Sequence, residues 1–276
     1  MRHNRSKVRR IGVRIAFFIF LAAASAAAPM AAFAQTDEIQ VYDASIAPVG
    51  IFNLTLHNNY TPNGFTTQPT PGAIISNHSW NGVAEWAYGV TDWWEQGLYL
   101  PLYSVSEKRG GSINGFKIRE LFVRPHADDH TFFYGVNFEF SYNQRWWNPR
   151  VSSLEIRPII GLHLKPWDFI INPIVDSDYL GGFKGLDFVP AGRVAYNFNS
   201  KWAGAIEEYA DYGTLRNFYG LQGQTHQIWA VTDFSSKTVN VEAGIGFGLT
   251  SASDKLTLKL ILSRDLNSKP WPPSRR

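Results

Sequence analysis

The hydrophobic pattern of this chain has a period of two. In FFYGVNFEFSYNQR, residues 132–145, one alternate set is Phe132, Tyr134, Val136, Phe138, Phe140 and Tyr142, wholly apolar or aromatic. The other is Phe133, Gly135, Asn137, Glu139, Ser141, Asn143 and Arg145, mostly small, polar or charged. Such alternation predicts a β-strand with two unlike faces. In a water-soluble sheet the aromatic face is the inside. In a membrane barrel it meets lipid, and the Gly/Asn/Glu face lines the lumen.

The same pattern predicts twelve strands, at 50–59, 78–89, 94–104, 115–124, 132–145, 152–163, 167–176, 186–198, 202–211, 226–233, 238–250 and 255–266. In 94–104, Leu98, Leu100 and Leu102 oppose Glu95, Tyr99 and Tyr103. In 115–124, Lys117 and Arg119 share a face with Leu121 and Val123, which predicts a bulge that shifts the register. The segment 202–211 is acidic and ambiguous. In 238–250, Val239, Val241, Ala243, Ile245, Phe247 and Leu249 oppose Asn240, Glu242, Gly244, Gly246 and Gly248.

The connections alternate as well. Those after strands 2, 4, 6, 8 and 10 are short; those after 1, 3, 7 and 9 are long and rich in Gly, Pro, Asn or Ser, Glu107 to Asn114 among them. Those after 5 and 11 are about five residues each, which weakens the alternation. Short turns at one end and long loops at the other predict periplasmic turns, extracellular loops and two periplasmic termini. Trp93, Trp94, Trp167 and Trp202 flank short turns, whereas Trp80, Trp146, Trp147 and Tyr219 fall near the opposite edge. Aromatics favour strands anyway, but their clustering at the short turns predicts two interfacial girdles. In hydrocarbon an unpaired backbone group costs several kcal/mol, so a sheet there must close. The expected fold is therefore all-β: a single antiparallel up-and-down transmembrane barrel of about twelve strands. A soluble periplasmic β-protein is the alternative, with the aromatic face packed inside.

The N-terminus agrees with export. Arg2, Arg5, Lys7, Arg9, Arg10 and Arg14 precede a nearly unbroken apolar run from Ile15 to Ala28, and Ala32-Phe33-Ala34 offers a cleavage site. That predicts a signal peptide over 1–34. A basic nucleic-acid tail would not continue into such a run. Arg9-Arg10 hints at twin-arginine export, which the surrounding residues fit poorly. Cleavage leaves 20 basic against 23 acidic residues of the original 26 and 23, removing the support for a nucleic-acid partner. The chain has no cysteine, so an exported form uses no disulfide. No mature segment approaches the length of a spanning helix. The expected organisation is a short N-terminal periplasmic segment at 35–49, the barrel at 50–266 and a Pro-rich tail at 267–276 containing Trp271.

The stretch EWAYGVTDWWEQGLYLPLY, Glu85 to Tyr103, resembles a hairpin of outer-membrane proteins linked with the MetA pathway of phenol degradation. The matching residues are Tyr88, Gly89, Val90, Thr91, Asp92, Glu95 and Pro101. The motif covers about twenty residues, and the strand pattern agrees over the mature chain. The resemblance implies a transport-type barrel of the bacterial outer membrane and a small, hydrophobic or aromatic solute. The chain departs from many outer-membrane barrels in that a Pro-rich tail follows the last strand.

The charged residues expected to line the lumen are Glu85, Glu95, Lys117, Arg119, Glu139, Glu155, Arg157, Asp168, Asp176, Arg193, Glu207, Glu242 and Lys259. Two readings stand beside each other: a polar pore whose charges select the solute, or carboxylates and bases that pair and satisfy one another. Gly244, Gly246 and Gly248 form a side-chain-free stripe with room for a solute, a plug or a bulky neighbour such as Tyr99, or a kink that shapes the barrel. His78-Ser79 suggests an outer-membrane lipid hydrolase, but adjacent residues point to opposite faces and cannot pair. His126, Asp128, Asp129 and His130 lie in one turn and read either as a metal site or as solvated turn residues. There is no Gly-Lys phosphate loop, dinucleotide fingerprint or diagnostic metal spacing, so no cofactor and no metal are expected. The expected function is a passive outer-membrane channel or transporter for a small solute, without catalysis. The alternative is a structural or partner-binding barrel with a salt-bridge-closed lumen. Expected partners are outer-membrane lipid, the barrel assembly machinery and the solute.

Overall fold

Alternating sequence becomes alternating exposure in the computed structural model, which describes residues 37–179 and 182–270. Its extended segments are β1 (Phe52–Asn63), β2 (Ser79–Gly89), β3 (Trp94–Ser106), β4 (Gly110–Val123), β5 (Phe132–Asn143), β6 (Ser152–Leu164), β7 (Trp167–Asn172), β8 (Val175–Ser177), β9 (Asp187–Phe188), β10 (Ala191–Asn197), β11 (Trp202–Asp211), β12 (Gly213–Thr214), β13 (Asn217–Phe218), β14 (Thr225–Ser235), β15 (Asn240–Gly248) and β16 (Leu256–Asp265). β7 and β8 are one interrupted strand along β6, and β9 and β10 are the next. β12 extends β11 and pairs with β13 in the connection to β14. Every sequential pairing is antiparallel, and β1 pairs with β16 from Asn53↔Asp265 to Asn63↔Leu256. The result is a closed antiparallel barrel of twelve strands, sealed where β1 meets β16 and β6 meets β7.

The outer face is apolar around the circumference. Phe132, Tyr134, Phe140 and Tyr142 on β5 are each 45–54% exposed, whereas Phe133 is fully buried. Trp86, Leu98, Ile118, Ile160, Phe169, Val194, Ile206, Ile245 and Leu260 continue the exposed surface around the sheet. An apolar belt of this extent on a closed sheet is stable against hydrocarbon rather than water. Trp93, Trp167 and Trp202 sit exposed at the short-turn end, and Trp80 at the other. Trp147 is buried, so it belongs to the interior and not to an outer girdle.

Two register expectations change. The shift lies between Tyr99 and Leu102 on β3, opposite Gly115, and not within 116–123. It reverses the faces of the upper half of β3: Leu102 is fully buried, and Tyr103 points outward to donate to Asn58 Oδ1 at 2.7 Å. The bulge frees the Leu100 carbonyl toward lipid, and the Trp86 indole donates to it at 3.0 Å, as a medium without water requires. Leu121 and Val123 face inward with Arg119 because apolar partners await them there. The segment expected as a Gly-rich loop, Glu107 to Asn114, is mostly strand, and only 107–109 turn. In 202–211 the inward set is Ala203, Ala205, Glu207, Tyr209 and Asp211. At the end of β16, Asn267 receives the Phe52 amide at 2.7 Å; residues 1–34, read as a signal peptide, and Trp271 lie outside the described residues.

Glycines make room for large inward side chains. A Cβ at Gly246 would meet the Trp229 ring at 2.1 Å, so the bulky neighbour of the glycine stripe is Trp229 rather than Tyr99. A Cβ at Gly161 would meet the Phe133 ring at 2.0 Å, and that ring stacks on His163 with centroids 4.4 Å apart. Gly161→Val is therefore expected to destabilise the barrel by about 1–3 kcal/mol through overpacking. Urea unfolding from lipid vesicles measures it. Phe133→Ala in the same chain should offset part of the loss, and strict additivity of the two costs would contradict the assigned contact.

Candidate functional site: a lumen filled by the N-terminal segment

Residues 37–47, within the stretch 35–49 expected as a short N-terminal periplasmic segment, lie inside the barrel. Two needs of the chain explain its place. Its apolar side chains find apolar wall: Val41, Tyr42 and Ala44 pack with Leu121, Val123, Phe133, Ile159 and Ile170, and Ile39 packs with Ala195, Ala205, Trp229 and Val231. Its backbone, which has no sheet partner inside the lumen, is satisfied by wall side chains. Asn172 brackets Tyr42, accepting from its amide at 2.7 Å and donating to its carbonyl at 3.0 Å. Arg157 donates to the Gln40 carbonyl at 3.0 Å, Lys259 to that of Ile39 at 3.2 Å, and Asn59 to that of Asp37 at 3.0 Å. Near the short-turn end the Ala47 amide donates to Glu95 Oε2 at 2.5 Å. The segment then leaves the lumen, and Gly50 donates to the Gly89 carbonyl at 2.7 Å.

The expected charged residues all point into this interior, and all but Asp168 gather into three groups. In the first, Arg119 binds Glu85 at 2.7 Å and also Glu95, and His57 Nε2 lies 3.0 Å from Glu85 Oε2. The Tyr42 and Tyr99 hydroxyls stand 2.6 Å apart beside the same guanidinium. In the second group, Arg193 contacts Glu207, Asp233 and, at 3.6 Å, Glu242. Lys259 lies 2.5 Å from both Glu207 and Glu242. Tyr209 donates to Glu207 at 2.7 Å.

In the third group, Lys117 lies 2.8 Å from both Asp37 and Glu139, and Arg157 Nε lies 2.7 Å from Glu155. Asp176 stands opposite Glu155 on the neighbouring strand. Asp168 sits apart, bound to His163 at 2.7 Å and to Asn197 at 2.6 Å. The expected lumen set left out Tyr42, His57, Asn59, Asn172, Tyr209 and Asp233, although the alternation puts His57 and Asn172 on the polar face of their predicted strands. All but Tyr42 could have been found by holding the alternation in phase along each strand.

The segment divides the remaining space. Below it, toward the short turns, lies a cavity of about 540 Å³; above it, toward the long loops, lies one of about 280 Å³, and Gln40 borders both. The long-loop mouth is itself covered. Ala73, Ile74 and Ile75 of the 64–78 connection are buried, and Ile74 donates to the Trp146 carbonyl at 3.0 Å. Asp254 holds this connection, accepting from Ser76 Oγ at 2.6 Å and from the Phe65 amide at 3.0 Å. Burial raises the Asp254 carboxyl above its usual range. A carboxyl raised in the folded state opposes folding when ionised. Its penalty is absent below the unfolded pKa, grows as pH rises from the unfolded to the folded value, and is complete above the folded one. Acidification is thus expected to tighten the docking of 64–78, read as a larger protection factor at the Phe65 amide (its exchange relative to an unfolded amide at the same pH), and Asp254→Asn should remove the pH dependence of that factor.

The residues considered for other chemistry are engaged elsewhere. Ser79 Oγ donates to the Ser76 carbonyl at 2.8 Å, and His78 Nδ1 lies 2.8 Å from Glu107. His126 faces Asp92 at 3.8 Å, and Asp128 accepts from Ser45 at 3.4 Å. Among the described residues no three metal-ligating side chains converge.

A solved structure of the KdgM porin superposes with a TM-score of 0.51 at 8% identity, covering 78% of this chain and 99% of that one. The NanC porin, in a rhombohedral crystal form, gives 0.50 at 11% identity over 76% and 97%. The fold shared with them is the twelve-strand outer-membrane barrel. No family model matches the sequence, and no curated protein matches it.

Proposed function

We propose that this chain is a passive channel of the bacterial outer membrane for a small solute. One observation carries the reading: an apolar belt encloses a charged interior with a cavity on either side of the N-terminal segment. Apolar outside and polar inside is the arrangement of a solute pathway. The likeness to two porins supports the fold on which such a pathway is built. The short turns and both ends of the described chain then face the periplasm, as an exported barrel assembled from that side requires. The Glu85–Tyr103 hairpin, through its resemblance to the MetA-linked proteins, supports a solute with an aromatic or otherwise hydrophobic body. The grip of the wall on segment 37–47 favours a second reading, a barrel kept closed for a structural role.

The test uses the mature chain refolded in detergent, its folding checked by a change in electrophoretic mobility after boiling. Discrete currents in planar bilayers and swelling of liposomes in small solutes are expected. A heat-modifiable barrel that passes neither ions nor solute would leave the closed-barrel reading standing.

A further inference from the structure

The upper cavity is lined by more acidic than basic side chains. Its lining includes six carboxylates, Asp37, Glu38, Glu139, Glu155, Asp176 and Asp211, against two basic side chains, Lys117 and Arg157. Those two are already in use, Lys117 between Asp37 and Glu139, and Arg157 on Glu155. Acceptor capacity is left over. Both oxygens of Glu38 and Oε2 of Glu139 have no hydrogen-bond partner, although each side chain is only 3% exposed. The one ion pair of Glu38 spans 4.0 Å to Arg157. Buried acceptors of this kind are normally satisfied, so each unpaired one asks what donor belongs there. The lower cavity has the same sign, seven carboxylates against Arg119 and Arg193, so the route is acidic from end to end.

We propose that the upper cavity is a binding site for a small organic cation, an amine on an aromatic or alkyl body, and that passage through the barrel favours cations. The second half rests on the channel reading; the first does not. An ammonium group brings three donors and no acceptor, which suits oxygens that lack partners. Trp147 and Tyr209 line the same space, and aromatic walls accept both a cation and an apolar body. A bare metal ion fits less well, because no three ligating groups converge among the described residues. An anion of equal size would meet net negative potential in both cavities.

Phenethylamine, phenylethanol and phenylacetate share a ring and differ in charge, and calorimetric titration of the detergent-folded mature chain compares them. Saturable binding is expected for the amine alone, weakened at least about tenfold in Glu38→Gln and in Asp176→Asn, since each removes a charged acceptor. Glu38 is outside the barrel strands, so its variant keeps the test open if Asp176→Asn does not fold. Absence of saturable amine binding, or phenylacetate binding as tightly, would overturn the site. In bilayers under a salt gradient, a reversal potential of cation sign is expected, and an anionic one overturns the selectivity. Amine binding without any current supports the site while rejecting the channel.

Discussion

Deleting residues 37–47 is expected to raise the single-channel conductance severalfold and to admit larger solutes in liposome swelling. Among the described residues this segment separates the two cavities, and its side chains fill the middle of the lumen from Leu121 across to Trp229. The barrel itself does not depend on it, because the strand pairings close without any residue before Phe52. The wall would lose apolar contacts and gain water, at some cost in stability. Lys259 and Arg157 would give up carbonyl partners but keep carboxylates, Lys259 at 2.5 Å from Glu207 and Arg157 at 2.7 Å from Glu155. The deleted chain should therefore still show heat-modifiable mobility. Unchanged conductance in a chain that passes that check would mean the pathway does not run past the segment, and the plugged lumen would need another explanation.

The largest stability loss is expected from Arg193→Met. Among the described residues Arg193 alone forms an ion pair with Asp233, and it shares Glu207 and Glu242 with Lys259. Its removal leaves three carboxylates around one ammonium group, with the Glu207 side chain fully buried. Breaking a buried pair by removing one partner costs about 3–5 kcal/mol, because the surviving charge remains out of water. Urea unfolding from lipid vesicles should show a shift of that order. Asp233→Asn added to Arg193→Met should restore part of it, as the excess charge falls. A loss no larger than that of a surface substitution would show that the interior is wet enough to screen these groups.

The comparison of pattern with structure divides along a physical line. The two-residue alternation in 132–143, 239–248 and 256–265 was sufficient to find strands and their faces, because lipid on one side and polar lumen on the other impose opposite demands at every step. Where that alternation broke, at Tyr99–Leu102, sequence located the trouble a strand too late. Leu121 and Val123 depart from the polar pattern of the inner face because Val41 and Tyr42 pack against them there.

What the sequence determined by itself is the closed, lipid-facing barrel, since each strand carries its own preference for hydrocarbon and enclosure. What only the tertiary structure decided is how the enclosed space is occupied. Ile39, Val41 and Tyr42 have no period of their own that marks them as interior. They lie inside because the apolar patches and side-chain donors that receive them come from strands far apart in the chain, brought around one axis only when β1 meets β16.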